Sequence, residues 1–428
     1  MLRCRTMWPW VLLLSLLSAG SSVVSQSIIK TLPGFTGDLP FILETGYIGV
    51  GELDEVQLFY YFIESERSPK DDPLLLWLTG GPGCSGLSAI LYEIGPFTFN
   101  YANSSGNKPT LLLNPYSWTK WLMDHSMFLS NPLYISGDSY SGMTVPIILQ
   151  EVLNGNEVGD QPPMNLKGYV LGNPFTDIIY DLNSRVKFAH RTALISDQLY
   201  ESTKINCKGE YSRPDLSNAP CMEDLQVVSE CIAKIQRPHI LEPKCSELSP
   251  KPNKLWSWSF LGDSMIDILT STPQVPGPWC RNYNYLYSYI WANDKTVQNA
   301  LHVREGTITT WDRCNKSMIY SHNIITSIDY HHNLTKKDLR GLVYSGDHDM
   351  VIPHVGTQEW IETLNLTIGD SWRPWFVESQ VAGFVTIYTE KKYSLTFTTI
   401  KGGGHTAPEY RPRESLAMVE RWFAYYLL

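Results

Sequence analysis

Short apolar runs alternate with glycine, proline and polar turns along the chain, a pattern that predicts buried strands. Continuous apolar runs at 74–78, 133–136, 166–172 and 340–345 are typical of strands covered on both faces, as in a parallel sheet. The pattern also predicts a hairpin over 44–64, strands at 381–389 and 393–400, and helices at 87–93, 143–152 and 413–426. Together these elements predict an α/β protein with a mostly parallel central sheet flanked by helices.

Residues 177–297 differ in composition from the rest of the chain. They hold five of the eight cysteines, many prolines and four tryptophans. We therefore predict an α/β core formed by 26–176 and 298–428. The region 177–297 is predicted to be an inserted cap that disulfides hold together over the active face.

The first 25 residues have the pattern of a secretory signal. Arg3 and Arg5 precede an apolar run at 8–17, and small residues follow up to Ser25. Because the run is too short for a membrane-spanning helix, we expect cleavage near Ser25. The product is then secreted, either extracellular or directed to the vacuole through the secretory pathway.

A secreted chain favours disulfides and glycosylation. Loss of Cys4 with the signal leaves seven cysteines, an odd number, so at least one is unpaired or intermolecular. The candidate glycosylation sites are four Asn-x-Ser/Thr sequons, at Asn103, Asn315, Asn333 and Asn365.

The net charge of −9 argues against nucleic acid or an anionic membrane as a main partner. No spacing typical of metal ligands is present in the sequence. His331 and His332 are adjacent, so their side chains point apart, and we interpret them as loop residues. We predict neither a metal nor a cofactor.

A Gly-x-Ser-x-small segment follows the apolar run at 133–136. Gly137, Asp138, Ser139 and Tyr140 lead directly into the predicted helix at 143–152. This is the layout of a nucleophile elbow, in which a serine lies on a strained turn between a strand and a helix. The N–H of Tyr140 is then directed at a developing oxyanion. The alternative is an ordinary polar turn.

Another glycine-rich segment, residues 79–86, follows the run at 74–78. Gly81, Gly83 and Gly86 have the spacing of a dinucleotide-binding loop. A ribose-binding acidic residue about 20 positions later is missing, and so is the lysine of a phosphate-binding loop, so we exclude nucleotide binding. Glycines in this position also supply backbone N–H groups to an oxyanion.

Ser139, Asp349 and His405 occur in the order of an α/β-hydrolase triad, each after a predicted strand. In such a triad the histidine takes the proton of the serine hydroxyl, and the aspartate orients the imidazole and stabilises the imidazolium. Each residue alone has a structural alternative, such as capping a turn. Asp347 competes with Asp349 for the acidic role or braces the loop.

Four segments resemble the plant serine carboxypeptidase-like family: WLTGGPGCS at 77–85, GDSYSG at 137–142, YSGDHDMVIP at 344–353 and GGHTAP at 403–408. The likeness runs from about residue 32 to the C-terminus. It implies an α/β-hydrolase fold, the triad named above, and an oxyanion hole formed by the N–H groups of Gly81 and Tyr140. It also implies the disulfides Cys84–Cys314, Cys207–Cys221 and Cys245–Cys280, with Cys231 unpaired.

Two positions depart from the peptidase members of this family, which have Asn and Glu where this chain has Thr79 and Asp138. With a partner matching Glu93, these residues are implied to grip the terminal carboxylate of a peptide. Shorter side chains weaken that grip. Threonine and aspartate resemble the branch that transfers an acyl group from a glucose ester to an alcohol or amine. We favour acyl transfer, with release of C-terminal residues from peptides as the alternative.

The chain also departs from the family after Lys120. In relatives, an apolar strand, a loop and a helix follow this position, whereas here Trp121 follows at once with a sequence typical of that later helix. We predict an internal deletion that removes one core strand. A further alternative is therefore a catalytically inactive glycoprotein. Because the predicted missing strand lies away from the elbow, we still expect the triad residues to converge.

Overall fold

The computed structural model describes residues 26–50, 54, 56–65, 72–101, 109–121, 131–244, 281, 284–315, 317–321 and 323–428. The described residues fall into two compact units. Unit 1 is drawn from 1–72, 84–126 and 243–316, and unit 2 from 73–83, 127–242 and 317–428. The predicted cap at 177–297 is thus divided, with 177–242 in unit 2 and the rest in unit 1. That the region acts as a cap stays a prediction, and the signal at 1–25 lies outside the described residues.

Unit 2 is built on a seven-stranded sheet. Its strands are β4 (Leu74–Leu78), β7 (Leu133–Asp138), β8 (Leu166–Gly172), β9 (Arg340–Gly346), β10 (Thr367–Val377), β11 (Gln380–Glu390) and β12 (Tyr393–Ile400). They lie side by side in the order β10-β11-β12-β9-β8-β7-β4. The five strands from β12 to β4 are parallel, and β10 and β11 are antiparallel additions at one side. The predicted mostly parallel sheet of an α/β protein is therefore confirmed.

The parallel register brings the loops that follow these strands to one edge of the sheet. Leu78 lies opposite Gly137, and Asp138 lies opposite Gly172. Gly172 pairs with Tyr344, and Ile400 pairs with Gly346. Carboxyl ends of parallel strands form the usual ligand-binding edge of an open α/β sheet.

Eight helices of unit 2 follow or connect these strands within the described residues. They are α1 (Ser141–Val158), α2 (Ile178–Arg191), α3 (Asp197–Cys207), α4 (Ala219–Ile232), α7 (Ile328–Leu334), α8 (His354–Thr363), α9 (Ala407–Tyr410) and α10 (Pro412–Phe423). In α1, Pro146 has no N–H to donate to the carbonyl of Gly142. The hydroxyl of Ser327 donates to that carbonyl at 2.7 Å and satisfies it.

Unit 1 contains a sheet of β1 (Ser27–Ile29), β2 (Leu43–Val50) and β3 (Val56–Ile63), and a hairpin of β5 (Phe97–Phe99) and β6 (Leu111–Leu113). Pairing of β2 with β3 gives the hairpin predicted over 44–64. Unit 1 also contains helices α5 (Asn284–Asn293) and α6 (Lys295–Ala300) and a short π-helix, Ala89–Glu93. Leu43, Leu91, Phe97, Phe99 and Trp291 pack together in that core.

Two disulfides are present among the described residues. Cys84 bonds Cys314 within unit 1, and Cys207 bonds Cys221 between α3 and α4 of unit 2. Both pairings are those that the family resemblance implies. Cys231 is free and exposed, while the predicted pair Cys245–Cys280 lies outside the described residues.

The edge of the sheet at β4 bears on the predicted deletion. Among the described residues, β4 pairs with a single strand, β7. The nine residues that follow Trp121, at 122–130, lie outside the described part of the chain. The loss of a strand beside β4 stays a prediction.

Three sequon residues, Asn315, Asn333 and Asn365, are exposed, and Asn103 lies outside the described residues. Exposure leaves all three accessible to glycosylation, which stays a prediction for each. Within the part of the chain that the structure describes, no helix is long and apolar enough to cross a membrane.

Candidate active site

Ser139 lies on the tight turn between β7 and α1. Its φ of 54° is in the left-handed region, which is unfavourable for a side chain with a Cβ. Backbone bonds hold it there: the Ser139 N–H donates to Gly172 O at 2.9 Å, and Ser139 O accepts from Phe175 N at 2.7 Å. Gly137 is needed for close approach, since a Cβ there would lie 2.2 Å from Leu78 O. The turn thus holds the Ser139 side chain at the end of a buried strand.

A continuous chain of hydrogen bonds links the three predicted triad residues. The hydroxyl of Ser139 lies 2.8 Å from His405 Nε2, and His405 Nδ1 lies 2.8 Å from Asp349 Oδ2. The Asp349 side chain is fully buried, whereas that of His405 is 16% exposed. This is the geometry in which an imidazole removes a proton from a serine hydroxyl.

The carboxylate of Asp349 is fixed by further donors. Its Oδ1 accepts from Val351 N at 2.7 Å, and its Oδ2 accepts from Ile352 N at 3.2 Å. Asp347, the competing acid, is engaged elsewhere: its Oδ1 accepts from Gly402 N at 2.6 Å and from His348 Nδ1 at 2.5 Å. Asp349 therefore contacts the imidazole of His405, while Asp347 braces the two loops.

Asn173 belongs to the same cluster, and the sequence analysis missed it. Its Nδ2 donates to Asp349 Oδ2 at 2.9 Å, and its Oδ1 accepts from Gly346 N at 3.2 Å. Asparagine tolerates the positive φ of 41° at this position better than most residues. The sequence did contain a signal, because Asn173 directly follows the buried strand β8. That strand lies between the two strands that lead to Ser139 and Asp349.

Opposing effects act on the pKa of His405. Burial lowers it, whereas the negative charge and hydrogen bond of Asp349, and then the charge of Asp138, raise it; the net result is a raised pKa. A carboxylate close to an imidazole stabilises the imidazolium. His405 is therefore a stronger base than a solvent-exposed histidine, and two carboxylates contribute to this.

The predicted oxyanion loop lies beside the serine. A Cβ on Gly80 would lie 2.6 Å from Ser139 Cβ and 3.1 Å from Tyr140 N, so only glycine fits there. Gly80 N donates to Asp138 Oδ1 at 3.0 Å, which ties the loop to the residue before Ser139. Gly81 follows with a φ of 131°, a conformation that favours glycine. The roles of the Gly81 and Tyr140 N–H groups as oxyanion donors stay predictions.

The three residues predicted to contact a substrate carboxylate have different surroundings. The Thr79 hydroxyl oxygen is buried and has no hydrogen-bond partner among the described residues. Asp138 is buried, with one oxygen on Gly80 N. Glu93 is a buried residue of the π-helix in unit 1. Their role toward a substrate stays a prediction.

Aromatic side chains also surround the elbow. Tyr140 stacks on Phe175 with ring centroids 6.2 Å apart and meets Tyr320 edge-on at 6.1 Å. These rings provide an apolar surface directly after Ser139. Within the described residues, no group of three or more histidine, cysteine or acidic side chains is arranged to hold a metal ion.

The chain is similar in structure to Kex1(Δ)p, a prohormone-processing carboxypeptidase from Saccharomyces cerevisiae. The TM-score is 0.64 at 19% sequence identity, over 93% of this chain and 95% of that one. At this identity the likeness concerns the fold, and it confirms the predicted α/β-hydrolase-like architecture.

The sequence comparisons extend over almost the whole chain. A family model described as serine carboxypeptidase matches residues 33–122 and 119–425. Serine carboxypeptidase-like 7 from Arabidopsis thaliana is 43% identical over 97% of this chain and 97% of its own length. Serine carboxypeptidase-like 1 from the same plant is 45% identical over 94% of this chain and 93% of its own length. The chain therefore belongs to the serine carboxypeptidase family.

Proposed function

We propose that this protein forms an acyl-enzyme at Ser139. His405 acts as the general base, and the carboxylate of Asp349 orients the imidazole of His405. The hydrogen-bond chain from Ser139 Oγ through His405 to the buried Asp349 carboxylate carries this proposal. The raised pKa of His405 supports it, because a stronger base accepts the serine proton more readily.

The reaction has two halves. In the first, His405 Nε2 takes the hydroxyl proton as Ser139 Oγ attacks the substrate carbonyl, and the N–H groups of Gly81 and Tyr140 stabilise the oxyanion. The imidazolium then protonates the leaving group, and the acyl group stays on Ser139. In the second half, an acceptor loses its proton to His405 and attacks the acyl-enzyme, which frees the serine.

We favour acyl transfer from a glucose ester to an alcohol or amine. The observation that supports this choice is the Gly80–Asp138 hydrogen bond, which directs one carboxylate oxygen of Asp138 toward the glycine loop. An oxygen held there is less available to pair, through a shared proton, with a peptide's terminal carboxylate. Thr79 is also shorter than the asparagine of peptidase relatives.

Release of C-terminal residues from peptides is the second candidate. The family is that of the serine carboxypeptidases, and the yeast protein of similar fold is a prohormone-processing carboxypeptidase; both support this candidate. Both reactions use the same acyl-enzyme and differ in what attacks it, a water molecule or an alcohol or amine. An inactive glycoprotein is the third candidate, and it depends on the predicted deletion after Lys120.

We also propose secretion, to the vacuole or the cell exterior. The two disulfides of the described residues and the three exposed sequon asparagines support an oxidising, glycosylating route.

The decisive experiment is labelling of purified protein with a fluorophosphonate, which reacts with activated serines. We expect labelling of the wild type at Ser139 and none of Ser139→Ala. His405→Ala should reduce labelling and turnover to near the level of Ser139→Ala, since the members of a triad act as a unit. Absence of labelling in a folded wild-type sample would overturn the proposal in favour of the inactive glycoprotein.

A further inference from the structure

One short segment of unit 2, residues 237–240, is bonded to both loops that carry the proposed base and acid. The carbonyl of Pro238 accepts from His405 N at 2.7 Å. The carbonyl of Arg237 accepts at 2.8 Å from Met350 N, the residue after Asp349. Neither loop is part of a helix or strand at these atoms, so such bonds set their positions. The 237–240 segment thus fixes the backbone of both loops.

His239 attaches this segment to its surroundings through its side chain. The ring is buried, with 8% exposure. Its Nε2–H donates to Gly402 O at 3.2 Å, and its Nδ1 accepts from Leu241 N at 3.4 Å. Both nitrogens of the neutral ring are therefore used, one toward its own turn and one toward the loop that leads to His405.

The ring also stacks on residues that flank the two loops. Its centroid lies 5.3 Å from that of His348, with an angle of 11° between the planes, and 4.9 Å from that of Tyr410, with 30°. His348 immediately precedes Asp349, and Tyr410 belongs to the helix that follows His405. The imidazole of His239 thus contacts the acid loop, the histidine loop and the helix beyond it.

We propose that His239 is a positioning residue, which holds the 237–240 segment so that His405 reaches Ser139 and Asp349 together. This inference rests on the proposed function, which requires His405 to be aligned with both Ser139 and Asp349. Supporting residues of this kind keep reacting groups within a fraction of an ångström of their productive geometry. The side-chain hydrogen bonds of His239 go to backbone atoms of Gly402 and Leu241, so we infer that it acts through the loops and not on the substrate.

Two substitutions separate hydrogen bonding from ring packing. His239→Phe keeps a ring for stacking and loses both hydrogen bonds, whereas His239→Gln keeps an amide donor for Gly402 O. With p-nitrophenyl acetate as substrate, we expect His239→Phe to lower kcat by about tenfold to a hundredfold, the scale of a misplacement of about 1 Å. KM should stay within about twofold of the wild-type value, and His239→Gln should recover most of kcat.

His190 provides a matched control. It also stacks on a tyrosine, Tyr200, with centroids 4.1 Å apart, and its Nε2 bonds Asp197 at 2.7 Å. Neither contact involves the loops of Asp349 or His405. His190→Phe should therefore leave kcat unchanged, and a loss as large as that of His239→Phe would overturn the proposal.

A spectroscopic measurement tests positioning without turnover. The proton between His405 Nδ1 and Asp349 gives a strongly downfield proton NMR signal when the two are aligned. We expect that signal in the wild type, in His239→Gln and in His190→Phe, and its loss or displacement in His239→Phe. If His239→Phe does not fold, His239→Asn replaces it, because its shorter amide falls short of Gly402 O.

The outcomes distinguish this inference from the proposed function. If fluorophosphonate does not label the folded wild type, the proposed function fails and the inference fails with it. If the wild type is labelled and a folded His239→Phe or His239→Asn has the same labelling rate, kcat and downfield signal, the inference alone is overturned. Reduced kcat with an altered signal, restored by His239→Gln, supports it.

Discussion

Asp138 contacts Gly80 through a hydrogen bond of 3.0 Å from the glycine amide to the carboxylate, next to the proposed nucleophile. The same carboxylate helps to raise the pKa of His405. Asp138 therefore combines two effects at the site: it positions the glycine loop, and it contributes negative charge near the proposed base.

Asp138→Asn separates these two effects. The amide oxygen still accepts from Gly80 N, but the charge that helps to raise the pKa of His405 is lost. The pKa of His405 should fall, so the imidazole stays neutral to lower pH and the acid limb of the kcat/KM profile moves to lower pH. Asp138→Glu keeps the charge and serves as the control. A profile that stays in place or moves to higher pH in Asp138→Asn would contradict the assignment.

Asn173→Asp should have the opposite effect. It keeps an acceptor for Gly346 N but replaces the donor to Asp349 by a second carboxylate. The added negative charge should raise the pKa of His405 and move the acid limb to higher pH. We also expect kcat to fall by about tenfold or more, since a buried carboxylate loses a hydrogen bond and gains a repulsive neighbour. Wild-type kcat with an unshifted profile would exclude a role for Asn173.

The choice of substrate depends on Thr79 and Asp138. If these residues mark acyl transfer, a glucose ester should acylate Ser139 faster than a blocked dipeptide does. The double substitution Thr79→Asn with Asp138→Glu should shift the ratio of the two rates toward the peptide, because both changes lengthen a side chain toward a terminal carboxylate. Stopped-flow measurement of acylation gives both rates. A wild type that already prefers the dipeptide would favour the carboxypeptidase alternative.

Two buried histidines should make the fold less stable in acid. The structure corrects the interpretation of His331 and His332 as loop residues: both lie in α7, and His331 is fully buried. Burial lowers the pKa of His331 to about 3 and that of His354 to about 4, from an ordinary value of 6.5. Both stay neutral in the folded chain while the unfolded chain takes up protons below pH 6.5. Stability should therefore fall from that pH down to about 4 for His354 and about 3 for His331.

His331→Phe tests this pH dependence. It keeps a ring against Trp360, whose centroid lies 4.7 Å from that of His331, and removes the titrating group. Between neutral pH and pH 4, the free energy of unfolding should fall by about 3 kcal/mol less in His331→Phe than in the wild type, at about 1.4 kcal/mol per pKa unit. Urea denaturation at several pH values measures this. The exposed His302→Phe is the control and should retain the wild-type slope.

The predicted deletion is tested by repair. Insertion of a relative's strand-and-helix segment after Lys120 should give β4 a second neighbour, because β4 pairs only with β7 among the described residues. An unpaired interior edge promotes association between chains, so soluble yield and unfolding temperature should rise in the repaired chain. An unfolding transition of the natural chain that is as cooperative and as stable as the repaired one would show that no core strand is missing at this point.

The sequence predicted best the strands that contain an apolar run. Apolar runs predicted β7 and β9, whose residues are almost all buried, because a strand covered on both faces favours apolar side chains. The run at β4 also formed a strand, but its five residues are only partly buried, so the predicted cover on both faces is not found there. Strand β10 was missed because it is an irregular edge strand that contains Gly369, Asp370 and Pro374 and is largely exposed. At an edge, one side of the backbone needs no partner, so such residues are tolerated there.

Local sequence patterns could not predict contacts between segments that lie far apart in the chain. Asn173 and Asp349 are separated by 176 positions, and no local periodicity connects them. The helices α2, α3 and α4 lie in the region 177–297, where the sequence predicted a cap but no individual helices. His239 was likewise hidden, since its neighbours come from loops more than 100 residues later in the chain.

The bond between Ser327 and the carbonyl of Gly142 spans 185 positions of sequence. During synthesis, the segment with Ser139 leaves the ribosome long before the residue that completes its helix, and His405 follows later still. In the proposed mechanism Ser139 needs His405 as its base, so the nascent chain carries an unreactive serine until the last part of the chain has been synthesised and folded.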